Sequence, residues 1–156
     1  MEYRKATIRD LDAIIETRKK QLIDEGYEPN TDIDGSLRDF FTGKFQENSI
    51  VQWLAEENGK IIATAAIIFM TYPPSFRYPT GVRGYITNVY TAPEYRGRGI
   101  ATSMVERVKE EARARGIRKL ILMASEHGKP VYLRLGFAES EVWMDMDLPA
   151  ETLPEE

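Results

Sequence analysis

Thr91-Ala92-Pro93-Glu94-Tyr95-Arg96-Gly97-Arg98-Gly99-Ile100-Ala101 is the stretch that organises this chain. Tyr85 to Thr91, just before it, reads as a strand. From Gly99 a helix is predicted to about Arg115, with Ile100, Met104, Val108 and Ala112 every four residues and Gly116 as its stop. A strand thus runs into a Gly-rich turn that opens directly into an amphipathic helix. The first turn of a helix has unpaired backbone N–H groups and a partial positive charge, so it attracts phosphate. Gly97 and Gly99 let backbone approach an anion with no side chain between, and Arg96 and Arg98 add charge there. No Ser, Thr, Asp or Asn stands just before Gly99 to cap the helix, which leaves those donors to an outside anion.

Working outward, residues 3–7 read as a short strand, and Thr7-Ile8-Arg9-Asp10 has the spacing of a capping box. Leu11, Ile14, Ile15 and Leu22 follow on one helical face. Gly26 to Gly35 is a polar break, and Leu37, Phe40, Phe41 and Phe45 mark a second helix. Residues 50–56 and 60–70 are strand-like and split by Asn58-Gly59, the signal of a tight hairpin. Residues 71–84, with three Pro and two Gly, read as an irregular loop carrying Tyr72, Phe76, Arg77, Tyr78 and Arg83. Beyond the central helix, Lys119 to Ala124 reads as a buried strand. Pro130 starts a short helix that Gly136 ends, and Phe137 to Leu148 can supply two final strands. Strands and helices mixed in this way predict a layered α/β or α+β domain over residues 1–148, followed by an acidic tail, 149–156.

Composition narrows the function. The chain has 156 residues, enough for one domain with a real core. It has no Cys, hence no disulfides and no thiolate nucleophile, and its single His argues against a transition-metal centre. A net charge of −4 disfavours nucleic acid, whose binding is dominated by phosphate neutralisation. No run approaches a membrane span or a signal peptide, so a cytoplasmic protein is expected.

Two phosphate motifs fail. Gly128-Lys129 is followed by Pro130, not by the Ser or Thr of a P-loop, and position 102, where a dinucleotide fingerprint needs Gly, is Thr. Arg96-x-x-Gly99-x-Ala101, by contrast, resembles the [Q/R]-x-x-G-x-[G/A] signature of the GNAT superfamily of acyl-CoA N-acyltransferases. Val131-Tyr132-Leu133-Arg134-Leu135-Gly136-Phe137 resembles its second signature, an apolar residue and Tyr followed by Leu-Gly-Phe. One helix and one strand separate the two, which also fits.

The resemblance implies a mixed, mostly antiparallel twisted sheet flanked by helices, with a splayed central strand pair. It implies transfer of acetyl from acetyl-CoA to a primary amine by direct attack in a ternary complex, without a metal. A domain that binds acyl-CoA as a sensor is the alternative. By the same resemblance the amides of Arg96, Gly97, Arg98, Gly99, Ile100, Ala101 and Thr102 hold the CoA pyrophosphate. Pantetheine then lies in a slot between Val89, Tyr90 and Thr91 on one side and Leu122 to Ser125 on the other. The Val89 N–H faces the acetyl carbonyl oxygen, and Tyr132 protonates the leaving sulfur. Ser125 stands where the family often has Asn, and no carboxylate lies on Tyr85 to Thr91 to act as a base. Candidates for that base are Tyr85 through a water, His127, Glu25 or Glu28. The acidic region of Asp24, Glu25, Glu28, Asp32 and Asp34 suggests a cationic acceptor, either a small molecule or a peptide amine. Monomer and homodimer both remain open.

Overall fold

The computed structural model describes residues 1–149. In chain order the elements are β1 (Glu2–Lys5), α1 (Leu11–Asp24), α2 (Asp34–Gln46), β2 (Ile50–Glu57), β3 (Lys60–Thr71), β4 (Val82–Thr91), α3 (Ile100–Ala114), β5 (Leu120–Leu122) and α4 (Lys129–Arg134). One five-stranded sheet runs in the order β1-β2-β3-β4-β5. Its first three pairings are antiparallel, and the last, β4 with β5 across the α3 crossover, is parallel.

Both faces of the sheet are covered, and β3 shows why. Ala63, Ala65 and Ile67 join Met104, Val105, Val108 and Ala112 of α3 in one apolar cluster. Ala66 and Ile68 join Ile14 and Ile15 of α1 and Phe41 of α2 in the other. Alternate side chains of a strand point to opposite faces, so a central strand covered on both sides is apolar along most of its buried length, Thr64 being the polar exception in β3. The small side chains of β3 let α3 lie close.

The capping box forms as read. Asp10 accepts from the Thr7 N–H at 2.8 Å, and the short 3-10 turn Ile8–Asp10 leads into α1. Asn58 and Gly59 take φ values of 53° and 72° in the β2–β3 hairpin.

Three expectations change. β3 and β4 extend into the region read as loop, so the irregular connection is only 72–81. β5 is three half-buried residues instead of the six-residue buried strand expected. The two final strands do not form; Ala138 to Pro149 has no regular structure. Val142, Met144, Met146 and Leu148 alternate like a strand but are exposed, because so short an edge at β5 gives the alternation no ladder to join. Trp143 instead packs edge-on to Tyr72, with ring centroids 6.1 Å apart. Of the acidic tail, residues 150–156 lie outside the described residues.

Candidate active site

β4 and β5 part company midway. Gly84, Tyr85 and Ile86 pair with Leu120, Ile121 and Leu122, and there the ladder ends while β4 continues to Thr91. On its other side β4 carries a bulge: Thr64 of β3 opposes Tyr90 and Ala66 opposes Thr87, so Asn88 and Val89 together face Ala65. Such an extra residue leaves the ladder and bends its strand. Asn88 takes φ 53°, a left-handed conformation that Asn tolerates better than most residues. The bulge is fastened from inside. Thr64 Oγ1 donates to the Asn88 carbonyl at 2.5 Å, and Asn88 Nδ2 donates to Gln52 Oε1 at 3.3 Å, all three residues being buried.

The divergence opens a groove of about 550 Å³ between β4, the start of α3, α4 and the C-terminal end of α1. Val89, Tyr90, Thr91, Arg96, Gly97, Gly99, Ile100, Ala101, Thr102, Ser125 and Tyr132 all line it, as do Tyr85, His127 and Glu25. Arg98 does not. Its guanidinium donates to the Glu94 carbonyl at 3.0 Å and lies over the Tyr95 ring. Arg96 reaches the groove wall but is committed, donating through Nε to the Thr91 carbonyl at 2.9 Å and pairing with Asp24 at 2.5 Å. The Arg96 charge is therefore balanced by Asp24, and the Arg98 side chain is turned to Glu94 and Tyr95, so at this turn it is backbone that meets the groove.

That backbone is well disposed. No side chain caps α3, and its first ladder bond runs from the Ser103 N–H to the Gly99 carbonyl at 3.0 Å, so the amides of Ile100, Ala101 and Thr102 have no acceptor inside the helix, whereas the Arg96 N–H, expected in the cradle, donates to the Pro93 carbonyl at 3.2 Å. Gly97 and Gly99 hold φ 73° and 76°, a region an L side chain enters only with strain, and the space beside each is open. These are the properties of an anion cradle.

Tyr132 stands on the opposite wall, its ring against Phe137 with centroids 5.9 Å apart. Ser125 Oγ accepts from the Gly128 N–H at 3.1 Å, shaping the turn into α4 and leaving its own O–H to donate elsewhere. A methyl group on Gly128 would meet Tyr132 Cε2 at 3.1 Å and Ser125 Oγ at 3.2 Å, so the three residues are packed together. Burial pushes the Tyr132 phenol up to about 12, and the negative charge of Glu25 adds to the shift. Tyr132 thus keeps its proton at neutral pH. Burial, with Asp24 next, also raises Tyr90.

The five acidic residues read as one acceptor-facing region are dispersed. Asp24 and Glu25 line the groove, but Asp24 is paired with Arg96 and Asp34 with Lys19 at 3.0 Å, while Glu28 and Asp32 lie away from the groove. Sequence reasoning missed the Thr64–Asn88–Gln52 fastening and the groove-facing side of α1, formed by Arg18, Gln21 and Leu22. The second was signalled by the Arg18-x-x-Gln21-x-x-x-Glu25 spacing, which puts all three on one helical face.

A splayed strand pair beside an uncapped helix is the fold that the two signatures imply, and Tyr132 faces its opening. Residues 12–137 match the acetyltransferase (GNAT) family, and the chain belongs to that family. A crystal structure of a predicted acetyltransferase from Clostridium acetobutylicum with acetyl-CoA is 49% identical and superposes with a TM-score of 0.92 over 94% of this chain and 95% of that one. A GCN5-related N-acetyltransferase from Ralstonia eutropha is 30% identical, with a TM-score of 0.86 over 96% and 97% of the two chains. Among curated relatives, glucosamine 6-phosphate N-acetyltransferase of Trypanosoma brucei brucei is 32% identical over 93 residues, covering 60% of this chain and 61% of that protein. Thialysine N-epsilon-acetyltransferase of Mus musculus is 27% identical over 106 residues, or 64% of this chain and 60% of that one. The match thus spans about three-fifths of each curated relative.

Proposed function

We propose that the protein is an N-acetyltransferase that uses acetyl-CoA and acetylates a small-molecule primary amine, residues 1–148 acting as one domain. One observation carries this reading: the bulged end of β4, the open amides of α3 and the protonated Tyr132 converge on one groove. The 49% identical Clostridium structure with acetyl-CoA supports the choice of donor, and the two curated relatives are both named for acetylating small amines.

The residues fit the donor. The cofactor's diphosphate matches the open amides beside Gly97 and Gly99, where no side chain competes. Its pantetheine arm can replace the β5 partner that β4 loses beyond Ile86. Acetyl-CoA supplies a thioester carbonyl as the acyl donor.

The chain's own groups then act in order. The backbone N–H of Val89, freed from the regular ladder by the bulge, stabilises the negative charge that develops on the carbonyl oxygen. The amine nitrogen forms its bond to the carbonyl carbon as the carbon–sulfur bond breaks, and the Tyr132 O–H gives its proton to the departing sulfur. An alkyl ammonium, with a pKa near ~10, must lose a proton before it attacks. Glu25 lines the groove close enough to bias Tyr132 and is placed to receive that proton or pass it to water. No acyl-enzyme is needed, and no Cys is present to form one.

Incubation with acetyl-CoA and a mixture of amines, followed by a thiol-release assay, tests the proposal. Amine-dependent thiol release is expected. Acetyl-CoA binding without release under any amine would make the domain a sensor instead.

A further inference from the structure

The wall that α1 turns to the groove is more specific than an acidic patch. Arg18, Gln21, Leu22 and Glu25 all line the groove from this one helix and the residue that caps it. Arg18 donates to Gln21 Oε1 at 3.2 Å, and Gln21 Nε2 donates to Glu25 Oε1 at 2.9 Å. The glutamine is satisfied by its neighbours at both ends of its amide. It holds a cation at one end of the file and an anion at the other.

Charge balance sharpens the picture. The groove is lined by the charged residues Arg18, Asp24, Glu25, Arg96 and Arg134. Asp24 and Arg96 cancel one another. On the α1 wall that leaves Arg18 and Glu25, and neither forms an ion pair among the described residues. The Arg96 contacts to Asp24 and to the Thr91 carbonyl pin the C-terminal end of α1 beside the end of β4, while Tyr85, nearer the start of that strand, packs in the cluster of Leu11, Ile14 and Ile15. Glu25 therefore sits at the Tyr132 end, and Arg18 lies two turns back, toward Tyr85. Seven residues of helix separate the two charges by about 10 Å along the axis, and inward-leaning side chains shorten that span.

We propose that the acceptor is an amine that also carries an anionic group, its ammonium held at Glu25 and its anion at Arg18. This rests on the acetyltransfer reading above. A carboxylate or phosphate matches the planar fork of Arg18, only one N–H of which is occupied, by Gln21. Tyr85 lines the same groove, and its hydroxyl can add a donor. A purely cationic acceptor would meet repulsion at Arg18, and a plain alkylamine would leave that guanidinium without an anionic partner.

Three amines sharing a five-carbon alkyl chain test the assignment: ε-aminocaproate with a carboxylate on its far carbon, pentylamine with a methyl end, and cadaverine with a second ammonium. Acetyl-CoA binding is measured in parallel by calorimetry. The expected order of kcat/KM is ε-aminocaproate first and cadaverine last. Arg18→Met should raise KM for ε-aminocaproate about tenfold or more and change pentylamine by less than about threefold. Arg18→Lys, which keeps charge but not the fork, should fall between. Preference for cadaverine, or an equal effect of Arg18→Met on both other amines, overturns the acceptor assignment alone. So does acetyl-CoA binding with thiol release under none of the three. A wild-type protein that binds no acetyl-CoA overturns the assignment and the reading beneath it.

Discussion

Thr64 Oγ1 donates to the main-chain carbonyl of Asn88 at 2.5 Å, a hydrogen bond with almost no exposure to water. It joins the side chain of a central strand to the backbone of the bulge in the next. A carbonyl that leaves a β-ladder inside a protein needs another donor, or it costs about 1–3 kcal/mol. Thr64 supplies that donor, and Gln52 fixes the Asn88 side chain from one strand further away. The Asn88 backbone that leads into Val89 is therefore held by three buried polar residues that do not line the groove.

Thr64→Val keeps shape and removes the donor. The expected result is lower stability, within the range of a buried unpaired carbonyl, together with a drop in kcat of about tenfold as the bulge relaxes. Acetyl-CoA affinity should stay within about threefold, since the α3 amides are untouched. Thr64→Ser should restore most of the rate. Lower thermal stability with wild-type kcat would make the contact structural only.

Tyr132→Phe separates packing from proton transfer, because the ring keeps its contact with Phe137. Loss of a general acid lowers turnover by about 10²-fold or more. Acetyl-CoA affinity should hardly change. With its phenol pushed up to about 12, Tyr132 stays protonated through the neutral and mildly alkaline range, so its ionisation should produce no fall in wild-type kcat there. Equal turnover in the two proteins, measured by thiol release, would remove the acid role.

Gly99→Glu places a side chain and a negative charge at the opening of α3. The space beside Gly99 is open, so no steric clash within the protein is involved, only the strain of φ 76° and competition with an anion. Gly99→Ala, which carries the strain of roughly 1–2 kcal/mol without the charge, is the control. Calorimetric titration should find acetyl-CoA binding abolished in the first variant and weakened in the second. Wild-type affinity in Gly99→Glu would move the diphosphate elsewhere.

Much of the architecture was legible because local signals agreed with tertiary ones. Asn58-Gly59, Thr7 to Asp10 and the four-residue apolar spacing of α3 each specify one structure by local chemistry alone. The groove was legible through the residues on β4, α3 and α4, since both motifs are contiguous. What could not be read depends on long-range partners. Arg96 looks like a free charge until Asp24, 72 residues away in sequence, is brought beside it. The alternation of Val142, Met144 and Met146 looks like a strand until its neighbouring edge turns out to be only three residues long. Thr64 and Asn88 are ordinary strand residues in sequence, and only the β3–β4 register makes them a fastening.

The other end of α1 is anchored by charge, which makes its stability pH-dependent in a definite direction. Arg4 of β1 pairs with Asp10 and with Glu56 of β2, each at 2.8 Å, and Asp10 also closes the capping box on Thr7. The Arg4 hydrogen bond is the main reason both carboxyls are held below their usual range. A depressed carboxylate contributes stability above its unfolded pKa, near about 4, and that contribution is lost as pH falls through the folded value. Solvent around the partly exposed Arg4 screens the pairs, so the Asp10 charge contributes about 1 kcal/mol. Asp10→Asn should therefore lower the thermal midpoint at pH ~7 by roughly 2–4 °C. At a pH below the folded pKa of Asp10, where the wild type is also uncharged, the two proteins should converge. A gap of equal size at both pH values would place the stabilisation in neutral hydrogen bonding, with the Arg4 charge contributing nothing measurable.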